Sequence, residues 1–250
     1  MKKYLMQVVI YTRYFIKVAL DNPGVLIYTL ALPVFFLVLN AQKHLFQHLT
    51  TGQFINDIVP FIVWIVVSNA LMAIGDVGAL REQGYLKQYK TLVVNPSVLL
   101  VSKFLVALIT LFLTTGLVGL TCSLLFRLAP VTTLLQIWGM LLLTFIPSIC
   151  LGLPILAFTM RFQTLNTVVN AVLMVVMFGS LGISALLNPA VTNLFVNIIS
   201  PVYFDMNVYA LVATGNFGQF GMSYLVITLG WVLIGLWSYR HLKLLPMEGM

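Results

Sequence analysis

Long apolar runs that are almost free of charged side chains dominate the chain and predict its secondary structure. A helix that crosses the hydrocarbon core of a membrane needs about 20 apolar residues, each adding about 1.5 Å. Six windows reach that length: 23–41, 58–80, 98–126, 134–160, 165–187 and 220–239. Asp76 and Lys103 are the charged residues inside these windows, and both lie toward a window end. The pattern therefore predicts six transmembrane helices.

Composition agrees with a lipid environment. Of the 250 residues, 61% are apolar and 8% are charged, whereas a soluble domain carries about 25% charged residues. So few charged side chains cannot cover the surface of a soluble protein of this size. The predicted fold class is an all-α membrane protein with a single transmembrane domain over residues 1–250.

The basic residues predict the orientation of the helices, because cytoplasmic loops are enriched in Lys and Arg. One side of the six predicted helices holds eleven of them: Lys2, Lys3, Arg13, Lys17, Arg81, Lys87, Lys90, Lys103, Arg161, Arg240 and Lys243. The other side holds Lys43 and Arg127. We therefore expect a multi-pass protein of the cell membrane, such as a bacterial inner or plasma membrane, with both termini cytoplasmic. The charge is explained by topology, so no nucleic-acid partner is expected.

Residues 1–22 are predicted to form an interfacial helix rather than a crossing. At about 100° per residue, the polar side chains fall within an arc of about 140°, and they are Lys2, Lys3, Gln7, Arg13, Lys17 and Asp21. The rest of this helix is apolar or aromatic. A basic amphipathic helix of this kind lies in the membrane interface, with its cations near anionic lipid.

The segment between the fifth and sixth windows, residues 188–219, has an unusual composition for an outer loop. It is moderately apolar, contains Pro189 and Pro201, and carries Asp205 as its one charged residue. Such a segment is predicted to form short helices that re-enter the outer leaflet, where surrounding protein shields their backbone.

Several chemistries lack candidate residues. No carboxylate occurs between Glu82 and Asp205, so acid pairs and proton relays have no candidates in the third to fifth crossings. His44 and His48 could share a metal with Asp57, but an interfacial polar cap is favoured because nothing fixes a third ligand. Cys122 and Cys150 lie in apolar runs and are interpreted as small buried hydrophobes. No phosphate-binding loop is present, so the chain is predicted not to be an enzyme, and metal or cofactor sites are not expected.

The charged stretch Arg81-Glu82-Gln83-Gly84-Tyr85-Leu86-Lys87 resembles the Arg-Glu-x-Gly-x-Leu-Lys motif that opens the coupling region of ABC-2 type permeases. These proteins are the membrane subunits of ABC exporters. The resemblance extends over the whole chain, through the basic interfacial helix, the Asn22-Pro23 entry, the six crossings and the outer segment before the sixth. Pro96 follows Gly84 at a greater distance than in many members, which affects the extent of the coupling region, taken as 81–96.

The resemblance implies a partner. In this family two permease subunits form the pathway, and two separate ABC ATPase subunits, which hold ATP and Mg, grip the interfacial helix and the first cytoplasmic loop. The implied coupling residues are Arg81, Glu82, Gly84, Leu86 and Lys87. Glu82 would pair with a cation of the ATPase, and Gly84 would supply close backbone approach or a positive φ angle. The alternative interpretation is a solvated loop whose charges only set the topology.

Two further predictions concern the substrate and the contact between permease subunits. An apolar pathway favours a hydrophobic or amphipathic substrate, such as a drug, a peptide or a lipid. A polysaccharide or teichoic-acid exporter is the alternative within the class, and a non-transporting sensor or immunity subunit is the alternative outside it. The second permease subunit, identical or homologous, is predicted to contact four small residues that allow close helix approach: Gly179, Ser180, Gly182 and Ser184.

Overall fold

The computed structural model of the chain describes residues 2–21, 31, 34–35, 37–39, 42, 46–86, 92–95, 97–158, 160–187 and 193–242. The long elements in these ranges are all α-helices, and no β-strand occurs in them, which confirms the all-α prediction. In chain order they are α1 (Lys2–Leu20), α2 (Thr51–Asp57), α3 (Val59–Glu82), α4 (Ser97–Leu125), α5 (Pro130–Ala157), α6 (Phe162–Leu187), α7 (Leu194–Ile199), α8 (Pro201–Thr214) and α9 (Phe217–Arg240).

Five of these helices, α3, α4, α5, α6 and α9, are long and apolar enough to cross a membrane. They coincide within a few residues with the second to sixth predicted windows, so the chain is a multi-pass helical membrane protein. Most of the first window, residues 23–41, lies outside the described residues. The first of the six predicted crossings therefore stays a prediction.

Helix α3 is the centre of the bundle. It packs against α4, α5, α6 and α8, and most of its circumference is buried, including Ile62, Val66 and Ile74. One face stays open, because Trp64 and Met72 are 36% and 53% exposed.

The outer helices expose apolar side chains in stripes. On α4, Leu113, Leu117 and Leu124 are 65%, 50% and 77% exposed, and on α9 the same pattern runs through Leu225, Leu229 and Leu233. Steps of four and seven residues place each set on one helical face. Surfaces of this size and polarity are stable in contact with lipid chains rather than water.

Hydrogen bonds join another segment of the chain to each end of α4. At the α1 end, the Ser102 hydroxyl on α4 donates to the carbonyl oxygen of Val8 at 3.1 Å. At the opposite end, the N–H of Phe46 donates to the Leu125 carbonyl oxygen at 2.7 Å. His48 Nδ1 lies 3.3 Å from the carbonyl oxygen of Arg127, as expected for an interfacial cap. His44 lies outside the described residues.

Residues 193–214, the described helical part of the predicted outer segment, form two short helices with clear local signals. The side chain of Asn193 accepts from the N–H of Val196 at the start of α7, and Ser200 accepts from the N–H of Tyr203 at the start of α8. Pro201 occupies the first position of α8, where its missing N–H costs nothing. Gly215, with φ of 69°, ends α8 in the left-handed conformation that glycine adopts without strain.

Candidate functional site

The first candidate site is a surface at the α1 end, which we call the α1 platform and define as residues 2–20, 81–86, 92–95 and 97–103. Its centre is a small apolar core of buried side chains, namely Val8, Phe15, Leu86, Val93, Val98 and Leu99. Only one stripe of α1 is used for this contact, because Leu5, Met6, Val9 and Ile10 are more than half exposed. The helix therefore packs one apolar stripe on protein and leaves its other apolar side chains exposed.

Hydrogen bonds join α1 to the loop that precedes α4. The side-chain amide of Gln7 donates from Nε2 to the carbonyl oxygen of Leu92 at 3.2 Å and accepts at Oε1 from the N–H of Val94 at 3.0 Å. The hydroxyl groups of Tyr4 and Ser97 lie 3.1 Å apart. The sequence placed Gln7 on the polar arc of α1, and this arc meets protein at that position. Because both ends of the Gln7 amide pair with the loop backbone, α1 and residues 92–95 form one unit.

Charged side chains hold the platform against the spanning helices. Lys103 Nζ on α4 lies 3.3 Å from the Asp76 carboxylate on α3 and 4.6 Å from the centroid of the Phe15 ring on α1. The ammonium group therefore interacts with two other helices at once.

Arg81 is the most heavily bonded side chain of the platform and is 1% exposed. Its guanidinium donates to three carbonyl oxygens after the end of α5 or in its last turn: Leu156 at 2.9 Å, Phe158 at 3.3 Å and Met160 at 3.3 Å. Its Nε donates to Glu82 Oε1 at 3.0 Å. The last carbonyl groups of a helix lack partners within that helix, and a cation there is favourable. Arg81 thus caps α5 from α3.

The predicted coupling residues occupy different environments. Arg81 and Leu86 are buried inside the platform, and the Glu82 carboxylate pairs with Arg81, whereas the sequence interpretation paired it with a cation of another protein. Gly84 has φ of 76°, so a positive φ angle is confirmed, and no described atom lies within 4 Å of a Cβ built there. Lys87 lies outside the described residues. Gly84 and its neighbours Gln83 and Tyr85 therefore form the accessible part of the motif.

The predicted dimer contact lies on α6. A Cβ built at Gly179 or Gly182 meets no described atom within 4 Å, so both positions leave room for a close helix. The Ser180 hydroxyl is buried and donates to the carbonyl oxygen of Val176. The side chain of Ser184 lies outside the described residues. Contact with a second subunit stays a prediction.

The second candidate site was missed by the sequence reasoning, which recorded Asp205 only as the single charge of the outer segment. In the structure Asp205 lies on α8 with 0% exposure, and within the described part of the chain neither carboxylate oxygen has a hydrogen-bond partner. Burial raises the pKa of Asp205 well above its usual range. Between α7 and α8, Asn207 Nδ2 donates to Asn197 Oδ1 at 2.9 Å. The available signal was a lone acidic residue within an apolar segment.

Comparison with known proteins gives no match: no protein-family model matches the chain, and neither a curated protein nor a solved structure is significantly similar to it. Function must therefore be inferred from the residues and their geometry.

Proposed function

We propose that the chain is the permease subunit of an ATP-driven exporter, whose ATP hydrolysis takes place on separate ATPase subunits. The observation that carries this proposal is the α1 platform, which joins α1 and residues 81–86 of the charged stretch into one surface bonded to the spanning helices. A motor on another chain needs such a surface, because it acts on the membrane helices only through contacts outside the lipid.

The contacts of the platform define how a force would travel. A displacement of α1 reaches α4 through the Val8 carbonyl and the Ser102 hydroxyl. A displacement of residues 81–86 reaches the end of α5 through the three hydrogen bonds that Arg81 donates to carbonyl oxygens there. The exposed cations of α1, Lys2, Lys3, Arg13 and Lys17, supply attraction for anionic lipid or an acidic partner surface.

The membrane arrangement belongs to the same proposal. We place the α1 end in the cytoplasm on the basis of the basic residues, and six crossings follow if residues 23–41 form the first. The hairpin α7–α8 is then re-entrant. The re-entrant arrangement is supported by Phe204, whose ring centroid lies 5.3 Å from that of Trp231. Trp231 lies about 21 Å along α9 from Phe217, the first residue of that helix, at about 1.5 Å per residue. The start of α8 therefore reaches the middle of the bundle.

The substrate proposed is hydrophobic or amphipathic, and the transporting unit is a dimer with α6 at the interface. The apolar composition of the helices and the open glycine positions of α6 support these two points.

Docking is tested by photocrosslinking in intact cells. A photoreactive residue replaces exposed Gln83 on the platform, and the matched control replaces exposed Gln47 at the opposite end. We expect position 83 to crosslink to a subunit that is itself labelled by azido-ATP, and position 47 not to do so. The same complex in vesicles should accumulate an amphipathic dye only with ATP. Lack of any ATP-binding partner at position 83 would contradict the proposal, and cargo-stimulated ATP hydrolysis without accumulation would instead identify a sensor.

Orientation is tested separately with single cysteines at Gln47 and Asn193, both exposed, in a chain whose two native cysteines are replaced. An impermeant thiol reagent added outside intact cells should label both positions. Protection of both would reverse the proposed orientation.

A further inference from the structure

The outward face of α1 carries a groove with a volume of about 470 Å³. The described residues that line it all belong to α1, and they are Ile10, Arg13, Tyr14, Ile16, Lys17 and Leu20. At about 100° per residue, this set is centred on the side of the helix opposite to the buried residues Val8, Thr12 and Phe15. The groove therefore faces away from the core of the α1 platform.

Cations and apolar side chains alternate along this groove. Ile10 and Tyr14 are 53% and 48% exposed, and the exposed cations Arg13 and Lys17 lie next to them. Arg13 and Lys17 are one helical turn apart, so both can reach the same anion. Among the described residues neither of them makes a salt bridge, although Asp21 follows Lys17 by one turn. The groove thus combines a pair of unneutralised cations with exposed apolar surface.

The attachment of α1 to α4 determines how deep the groove lies in the membrane. Helix α4 has 29 residues and is about 43 Å long, whereas the hydrocarbon core of a bilayer is about 30 Å thick. The ends of α4 therefore extend into the headgroup layers. Helix α1 is fixed to one of these ends, where the Ser102 hydroxyl donates to the Val8 carbonyl oxygen and Lys103 Nζ lies 4.6 Å from the centroid of the Phe15 ring. This places the groove at the level of the lipid headgroups.

We propose that the groove binds the headgroup of an anionic phospholipid from the surrounding bilayer. Arg13 and Lys17 hold the phosphate, to which the guanidinium group of Arg13 donates two parallel hydrogen bonds. Ile10, Tyr14 and Leu20 contact the glycerol and the upper part of the acyl chains. The inference goes beyond the proposed function, since it holds whether or not the chain exports a substrate.

A lipid fits this surface better than an acidic protein does. Large apolar side chains are unfavourable in water, and cations are unfavourable in hydrocarbon, but the headgroup layer accommodates both side by side. A soluble partner approaches from the aqueous side of the platform, whereas the groove opens at the depth where phospholipids surround α1. The anion held by Arg13 and Lys17 is therefore a lipid phosphate.

Binding is measured on the purified chain in a neutral detergent, without any ATPase, by fluorescence anisotropy of a tail-labelled phosphatidylglycerol. The competitors are unlabelled phosphatidylglycerol, phosphatidylcholine and glycerol 3-phosphate. One double variant, Arg13→Gln with Lys17→Gln, removes the two cations of the groove. The matched control, Lys2→Gln with Lys3→Gln, removes the same charge from exposed positions of the same helix. Gel filtration checks that both variants fold.

The wild type should bind one class of labelled lipid saturably, and unlabelled phosphatidylglycerol should displace it while the other two competitors do not. Loss of both groove cations should weaken binding by about thirty-fold, as for two cations at an anionic membrane surface. The control should stay within about three-fold of the wild type at 0.15 M salt, because Lys3 lies about 15 Å along the helix from Arg13 and screening acts beyond about 8 Å.

Three results would overturn the proposal. Equal weakening by the two double variants would show nonspecific attraction to a basic helix. Equal displacement by phosphatidylcholine would show that the phospholipid charge is not recognised. Equal displacement by glycerol 3-phosphate would assign the groove to a soluble phosphate ester.

An aromatic photoreactive residue in place of Tyr14 identifies the occupant in intact cells. We expect it to crosslink to phospholipid. Crosslinking at position 14 to an ATP-binding protein would assign the groove to the ATPase and overturn this inference, while it would support the proposed function. Lack of an ATP-binding partner at position 83 contradicts the proposed function alone, so the two failures are distinguishable.

Discussion

Replacing Arg81 tests whether the stability of the α1 end depends on the cap of α5. Arg81→Ala removes the donor of four hydrogen bonds and leaves three carbonyl oxygens and the Glu82 carboxylate without it. We expect a large loss of stability in a protein whose spanning helices are otherwise unchanged. Arg81→Lys keeps the positive charge near the end of α5, but a single ammonium group cannot reproduce the planar fork.

The size of the expected loss of stability follows from the burial of the Arg81 guanidinium group. Removing one partner of a buried pair costs about 3 to 5 kcal/mol, because the remaining polar groups are left desolvated and unpaired. For a chain of this size, 1 kcal/mol corresponds to about 2 to 4 °C in melting temperature. Arg81→Ala is therefore expected to melt about 6 to 20 °C below the wild type, with Arg81→Lys in between.

The protein contains its own reporter of unfolding. Cys122 is fully buried on α4, so a dye that fluoresces on reaction with thiols reports its exposure during heating in detergent. Arg240→Ala, which removes an exposed arginine from the end of α9, is the control and should melt within about 1 °C of the wild type. If Arg81→Ala has the same melting temperature as this control, the capping role is refuted. Arg81 would then be only a charge that sets the topology.

Two glycine substitutions give further predictions from the same melting assay. Gly84→Ala should cost about 1 to 2 kcal/mol because its φ of 76° is strained for a side chain, whereas Gly52→Ala in α2, which has open space around it, should be neutral or slightly stabilising. Gly235→Ala should cost about 1 to 3 kcal/mol, because the new Cβ would lie 2.8 Å from the Cys150 sulfur, and Gly230→Ala on the same helix meets nothing and should not destabilise. A destabilised Gly230→Ala, or a fully stable Gly235→Ala, would contradict the described packing of α5 on α9.

The spanning helices could be predicted from the sequence because the signal is local. Hydropathy over about 20 residues depends on the segment alone, and the windows for α3, α4, α5, α6 and α9 agree with the structure within a few residues. Helix α1 and the positive φ of Gly84 were also accessible, since amphipathic periodicity and glycine preference are properties of a few neighbouring residues.

The environments of Arg81 and Asp205 could not be predicted in the same way. Arg81 binds carbonyl groups 75 to 79 residues away, so from sequence it was a surface cation in a charged loop. Asp205 was expected near the outer leaflet, and its complete enclosure depends on how α8 packs against six other helices. Both cases have one physical cause: the environment of a charged side chain is decided by partners that are distant in the sequence.

The contact between Val8 and Ser102 joins residues 94 positions apart in the chain, and this separation matters during synthesis. At about 5 to 20 residues per second, a ribosome needs about 5 to 20 s to make α4 after α1. Throughout that interval the apolar stripe of Val8 and Phe15 has no protein to cover it. The side chains of Leu5, Met6 and Ile10 are exposed even in the finished protein, and in the interfacial position predicted for α1 they would hold the nascent helix on the membrane surface until its partner arrives.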